Sequence, residues 1–325
     1  MAAPLHSLFL VAEIVLLVIY AFAATYGEGL INTGTTAAAF DAQDNATAAK
    51  MARLYPFYQD MNVMVFVGFG IIMTFLKTNC WTSVGFNFVI SCWAIQLNVI
   101  VFAAWHMLIE DGHFEKIPVT IESLIIGDVA AGAVLISFGA ILGKTTWTQL
   151  FVFATLEVIF FGLNETICVV YFGAVDMGGS MYLHTFGAYF GVAATYFFNN
   201  KRALQDQEKR CSGSYQSQTL AMIGTLFLFM YWPAFNGVLA FGVAQQRVVV
   251  NTMLSIISSC LTAVFVGSIY HGKFSMDIVL NATLAGGVGI GTASDLCMGP
   301  AWPILVGGLS GIICALGFLK LNAIF

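Results

Sequence analysis

No Asp, Glu, Lys or Arg lies between Lys77 and Glu110, Asp176 and Lys201, Arg210 and Arg247, or Arg247 and Lys273. Each interval is longer than the ~20 residues that carry a helix across a ~30 Å hydrocarbon core. None alternates polar and apolar residues as the ~10-residue strands of a membrane barrel do. Of the 325 residues, 59% are hydrophobic and 9% charged, against about 25% charged in soluble domains. So few charges cannot coat a soluble protein of this size, and lipid must replace water around most of it. The expected class is an all-α integral membrane protein of about ten transmembrane helices.

The hydrophobic segments fall at about 8–26, 60–77, 84–107, 121–142, 147–172, 178–198, 217–240, 248–270, 278–296 and 302–322. The first lacks a basic stretch before it and contains Glu13, so it reads as a retained span rather than a signal peptide. With the N-terminus in the cytoplasm, Lys77, Lys144, Lys201, Arg202, Lys209, Arg210, Lys273 and Lys320 face inward, and Lys50, Arg53, Lys116 and Arg247 outward. That is the direction of the positive-inside rule. The same orientation puts the sequon Asn45-Ala-Thr outside, where Asn45 can be glycosylated. The expected location is a multi-pass protein, in the plasma membrane. The outer loops then hold Glu28, Asp41, Asp44, Glu110, Asp111 and Glu115, and such an acidic face concentrates cations.

Twelve basic residues with no basic face argue against nucleic-acid binding. The seven cysteines (Cys80, Cys92, Cys168, Cys211, Cys260, Cys297 and Cys314) form neither a metal motif nor a disulfide framework. With no nucleophile–base motif, nucleotide loop or metal site, neither an enzyme nor a cofactor is expected.

Charges at membrane depth are costly and mark function by default. The candidates are Asp128, Glu157, Glu165, Asp176, His184, Asp277 and Asp295. Asp277, Asp295 and also Glu122 lie near span ends, where snorkelling or capping explains them, and Glu157 can be a protonated carboxyl bonded to a neighbouring helix. Asp176 is placed to cap a helix N-terminus. If that helix starts at Asp176, His184 lies ~12 Å into the span, near the membrane centre. A neutral imidazole both donates and accepts a hydrogen bond, so His184 suits a small neutral solute that does the same; a packing role is the alternative. Gly187-x-x-x-Gly191 and Gly307-x-x-x-Gly311 are small-residue pairs suited to close helix contact.

Longer motifs go further. They are Tyr55-Pro-Phe-Tyr-Gln-Asp60 with Val63-Met-Val-Phe-Val-Gly-Phe-Gly70 and Met73-Thr-Phe-Leu76, then Ile136-Ser-Phe-Gly-Ala140, Leu163-Asn-Glu165 and Asp176-Met-Gly-Gly-Ser-Met-Tyr-Leu-His184-Thr-Phe-Gly-Ala-Tyr-Phe-Gly191. Ala221-Met-Ile-Gly-Thr-Leu-Phe227, Trp232-Pro-Ala-Phe-Asn236 and Asn281-Ala-Thr-Leu-Ala-Gly-Gly287 follow in order. With these motifs the chain resembles the Rh glycoprotein branch of the ammonium transporter family. The resemblance implies an 11–12-helix fold of two inverted repeats and a homotrimer or Rh-type hetero-oligomer in the lipid bilayer. Each subunit would carry a pore in which ammonium sheds a proton at an acidic outer vestibule and ammonia passes two facing histidines. His184 matches the first pore histidine, Asp176 the acid ordering the adjacent entrance, Glu165 a vestibule carboxylate, and Phe235 one of two phenylalanines closing the mouth.

Two positions depart from the pattern. Val129 stands where the second mouth phenylalanine is expected. The second pore His is absent, since its helix would follow Phe325 and His271 is a loop residue. As a single membrane domain over 1–325, the chain divides into an extra N-terminal span at 8–26, a first repeat at 60–198 and an incomplete second repeat at 217–325. It then reads as a family member truncated at its C-terminus, whether a partial sequence, a short form or a non-conducting relative. The alternatives in function are a structural subunit of an Rh-type assembly and a channel for another gas such as carbon dioxide.

Overall fold

The computed structural model describes residues 3–27, 37–78, 80–198 and 213–321, with the side chains of 3–6, 37–46, 80, 111, 271 and 321 outside that description. Ten helical segments account for nearly all of it. They are α1 (Ala3–Ala23), α2 (Ala37–Asn62, continuing as a π turn Val63–Phe69 and onward to residue 75), α3 (Cys80–His106, continuing to Asp111) and α4 (Ile121–Ile141). Next come α5 (Trp147–Thr166, continuing to Tyr171) and α6, which opens as a π turn Ser180–Thr185 and continues as Phe186–Phe198. The series ends with α7 (Tyr215–Gly237), α8 (Gly242–His271), α9 (Met276–Gly291) and α10 (Ala301–Leu316, continuing to Leu321). Each of the ten expected segments has its helix. A short parallel pair, β1 (Ala24–Tyr26) with β2 (Ile117–Val119), ties the end of α1 to the α3–α4 connection.

Seven helices are long and apolar enough to cross a bilayer, among the described residues. Two shorter apolar helices, Ser7–Ala23 and Met276–Gly291, accompany them. At 1.5 Å per residue, the 16 residues of α9 reach only ~24 Å. Its shortness has a cause at its C-terminal end, where it meets the start of α6, as set out below.

Three helix starts follow from local sequence. Thr120, Thr146 and Ser214 each cap the helix after them and close a capping box with Ser123, Gln149 and Ser217. The expected outer loop before residue 60 is instead helical from Ala37. Its alanines, Ala37 to Ala39, Ala42, Ala46, Ala48, Ala49 and Ala52, have the highest helix propensity of any residue. Asn45 therefore sits on a helix rather than an open loop, with its side chain outside the described residues. The Lys201–Arg210 segment and Glu28 also lie outside the description. His271 is the last residue of α8 rather than a loop residue.

Small residues set the closest helix contacts. A Cβ on Gly187 or Gly191 would meet backbone atoms of Ala133 and Ser137 on α4, and one on Gly307 would meet the Ser255 backbone of α8 at 2.1 Å. Helix backbones at such distances also exchange side-chain bonds. Ser255, Ser258 and Ser259 of α8 donate to the carbonyls of Gly286, Ile304 and Ala282. Serine serves here because lipid cannot compete for its hydroxyl, so the bond persists between helices. The main core spans α2 to α9, and a second cluster around Ala263, Ile278, Ala282 and Ala315 joins α8, α9 and α10.

Candidate functional site

The site forms where two helices break. After α5 the chain turns through residues 172–179, and Gly179 adopts the left-handed conformation (φ 66°) just before α6. Gly178 lies close to α9, where a Cβ would meet Asn236 and the Gly291 backbone at 2.4–2.7 Å. The ends of α6 and α9 are stitched together. The Gly178 N–H donates to the Gly291 carbonyl at 3.0 Å, the Ser180 hydroxyl to the Val288 carbonyl at 2.6 Å, and the Thr292 N–H to the Ser180 hydroxyl at 3.0 Å. Irregular backbone is tolerated in a membrane protein only where protein satisfies its polar groups, and here two broken ends satisfy each other.

Asp176 anchors this joint. Its carboxylate accepts the N–H groups of Ser180 at 2.9 Å, Met181 at 2.7 Å and Tyr182 at 3.1 Å, and the Thr292 hydroxyl donates to it at 2.5 Å. Three of the four free amides of the α6 N-terminus thus converge on one side chain. The Tyr182 hydroxyl closes the turn on the Asp176 carbonyl at 3.1 Å.

The helix start is Ser180 rather than Asp176, which changes the position of His184 along α6. Residues 177–179 form a turn, and the helix starts at Ser180, so His184 lies about 6 Å along α6 rather than ~12 Å. It is buried because other helices enclose it. Its ring stacks on Trp232 (centroids 5.6 Å apart, planes 20°) and lies 5.9 Å from Phe235, both on α7. Its Nε2 is buried with no hydrogen-bond partner among the described residues. Trp232 is enclosed too, with its Nε1 unpaired, and fits because Gly287 of α9 has no side chain: a Cβ there would lie 2.3 Å from the indole. Asn236, one turn along α7, donates to the Thr252 hydroxyl and the Gly287 carbonyl.

Phe235 is buried at this centre, packed edge-on to Trp232. Val129 is buried on α4 beside Asp128, whose Oδ2 accepts from Asn62 at 3.3 Å. Glu157 is fully buried on α5 and bonds the Ser137 hydroxyl, which also donates to the Gly187 carbonyl at 2.7 Å. One hydroxyl carries one proton. The hydroxyl is shared between the Glu157 carboxyl and the Gly187 carbonyl, so Glu157 serves the packing of α5 on α4 and α6.

Glu165, near the end of α5, does not stand alone. It faces His106 at the end of α3, with Oε2 3.1 Å from Nε2, while Nδ1 lies 3.0 Å from Glu110. Sequence reasoning missed His106 and, although Trp232 stands in the motif Trp232-Pro-Ala-Phe-Asn236, gave Trp232 no role. His106-x-x-x-Glu110 at helical spacing was a signal available for the first; a Trp beside a Pro in an apolar run carries none for the second.

The chain as a whole is similar to known proteins. The sequence matches the model of the Ammonium Transporter Family over residues 21–325. The chain belongs to the ammonium transporter family. Members of this family are transporters and channels, not enzymes. The chain is 42% identical over 271 residues to a protein named ammonium transporter Rh type C from Rattus norvegicus, and 44% over 273 residues to an Rh type B from Oryzias latipes. These matches cover 82% and 83% of this chain but 54% and 58% of the relatives, little more than half their length. A Danio rerio Rh type B is 39% identical over 96% of this chain. Among solved structures, Nitrosomonas europaea Rh50 superposes with a TM-score of 0.76 at 25% identity, covering 85% of this chain and 72% of that one. Saccharomyces cerevisiae Mep2 shares the fold, with a TM-score of 0.69 at 17% identity over 92% of this chain and 75% of its own. This family member is therefore a helical, multi-pass membrane protein of the Rh type.

Proposed function

We propose that this protein moves ammonium nitrogen across a membrane as ammonia, with His184 lining the solute path. The observation that carries the reading is the buried, unpaired Nε2 of His184 between Trp232 and Phe235. An unpaired polar atom away from water costs about 1–3 kcal/mol, and a small neutral solute that donates and accepts hydrogen bonds removes that cost. Ammonium first meets an acidic mouth formed by Glu110, Glu165 and the Asp176 turn. It loses a proton there, because a full cation is heavily penalised inside an apolar site. Sodium and potassium have no proton to leave behind. Phe235 narrows the approach to His184, and Val129, smaller than phenylalanine, leaves its side of the mouth more open.

The working assembly is a homotrimer, or a hetero-oligomer with other Rh-type chains, in the plasma membrane. Its N-terminus faces the cytoplasm, Asn45 is glycosylated, and residues 60–198 and 217–325 correspond as inverted repeats. The test is reconstitution into lipid vesicles with an inward ammonium gradient, following internal pH. Alkalinisation well above protein-free vesicles, with no potassium or sodium conductance, is the expected result. A rate equal to empty vesicles, or equal passage of potassium, would overturn the reading.

A further inference from the structure

We infer that His106 is a proton relay, carrying the proton that ammonium sheds from the recessed Glu165 to the exposed Glu110; this rests on the transport reading above. The imidazole lies between two carboxylates, with Nε2 3.1 Å from Glu165 and Nδ1 3.0 Å from Glu110. The three groups differ in exposure along the line: the Glu165 side chain is 13% exposed, His106 21% and Glu110 56%. One end of the bridge is recessed in the protein and the other stands in water. The ring is held in place by Phe102, with centroids 4.4 Å apart, and α3 is pinned to α5 by Trp105 donating to the Ile159 carbonyl at 3.0 Å.

No Lys or Arg pairs with either carboxylate among the described residues. The titratable groups facing the bridge are Glu110 on its own helix and Glu165 from α5, and beyond Glu165 lie Cys168, Tyr182 and Asp176. Asp176 is committed to the α6 amides. Proton counting then constrains the bridge. Ionised carboxylates only accept, and a neutral imidazole has one N–H. Both ring contacts are hydrogen bonds only when the bridge holds an extra proton, on the second ring nitrogen or on a carboxyl. A proton entering at one end can therefore release another at the far end.

The step balances. Ammonium gives a proton to the Glu165 carboxylate, and the electrons of the broken N–H bond remain on ammonia as its lone pair. The Glu165 acid protonates Nε2, the Nδ1 proton passes to Glu110, and Glu110 releases it to bulk water. Proton exchange between the part-exposed ring and water, one proton off Nε2 and one onto Nδ1, restores the first tautomer. The net change is ammonium to ammonia plus a proton in water on the mouth side.

The test compares wild type, His106→Gln and Glu110→Gln in vesicles, measuring ammonium-driven alkalinisation against external pH. At acidic external pH, where free ammonia is scarce, both variants should be slower by about tenfold, less than positioned proton transfer contributes in a dry site because Glu110 stands in water. The deficit should close at alkaline pH, where ammonia arrives already deprotonated. A wild-type profile in His106→Gln, or a deficit equal at every pH, would overturn the relay. Wild-type protein that moves no ammonia would instead contradict the transport reading. The relay is then decided by infrared titration of the carboxyl bands. Protonating one end should perturb the bands of both Glu110 and Glu165 in wild type and of one alone in His106→Gln, and an effect confined to one carboxyl in wild type would overturn it.

Discussion

Asp176→Ala is expected to leave little folded protein. The substitution orphans the amides of Ser180, Met181 and Tyr182 and the hydroxyl of Thr292 at once. Loss of a single cap costs about 0.5–2 kcal/mol, and each further buried donor left unpaired adds about 1–3. A total of about 4–11 kcal/mol is comparable with the 5–15 that holds a typical protein together. The loss also cuts a tie between α6 and α9, so the joint around Gly178 and Gly291 loosens. Asp176→Asn keeps one acceptor oxygen and should lose about half as much. Thermal unfolding in detergent, read by size-exclusion of the heated sample, distinguishes the two. An alanine variant that melts with wild type would contradict the capping account.

The second large effect is on flux rather than folding. In His184→Ala the path loses the hydrogen-bonding group that Trp232 and Phe235 hold in place. The hydrogen bond between Nε2 and the solute, at about 1–1.5 kcal/mol, amounts to about tenfold in rate. The variant should still fold, because Nε2 has no protein partner to lose and the backbone N–H of His184 bonds Gly179 regardless of side chain. His184→Gln, which both donates and accepts, should recover part of the rate. The measurement is ammonia flux per folded protein, with melting temperature as the control. Wild-type flux from the alanine variant would return His184 to a packing role.

The helices were legible because charge-free runs of membrane length have one stable outcome, and ten segments became ten helices. The boundaries were less so, for two physical reasons. Helix α2 extends from Ala37 well before its apolar stretch because alanines continue a helix after hydrophobicity ends. The start of α6 was read from Asp176 because a capping carboxylate marks a helix N-terminus, yet Gly179 in a left-handed conformation inserts a turn between the carboxylate and the helix. Neither the partner of that turn nor the enclosure of His184 can be read along one segment, since both depend on α7 and α9, which arrive from 48 and 108 residues away.

The site residues show the same division. Asp176 and His184 stood out because polar groups in apolar runs are costly. Thr292, Trp232 and His106 did not, since a threonine at a span end, a tryptophan in a core and a histidine beside an acidic loop are ordinary in composition. What distinguishes them is contact: Thr292 on Asp176, Trp232 on the His184 ring, and His106 between Glu110 and Glu165.

The central claim is that ammonium nitrogen crosses as the neutral molecule, with its proton left on the mouth side. The direct measurement is simultaneous recording of internal pH and membrane potential in vesicles holding the wild-type protein, on an inward ammonium gradient with no permeant counter-ion. Passage of ammonia gives rapid internal alkalinisation and no potential. Inward positive charge accompanying each nitrogen, with the pH rise absent, would contradict it.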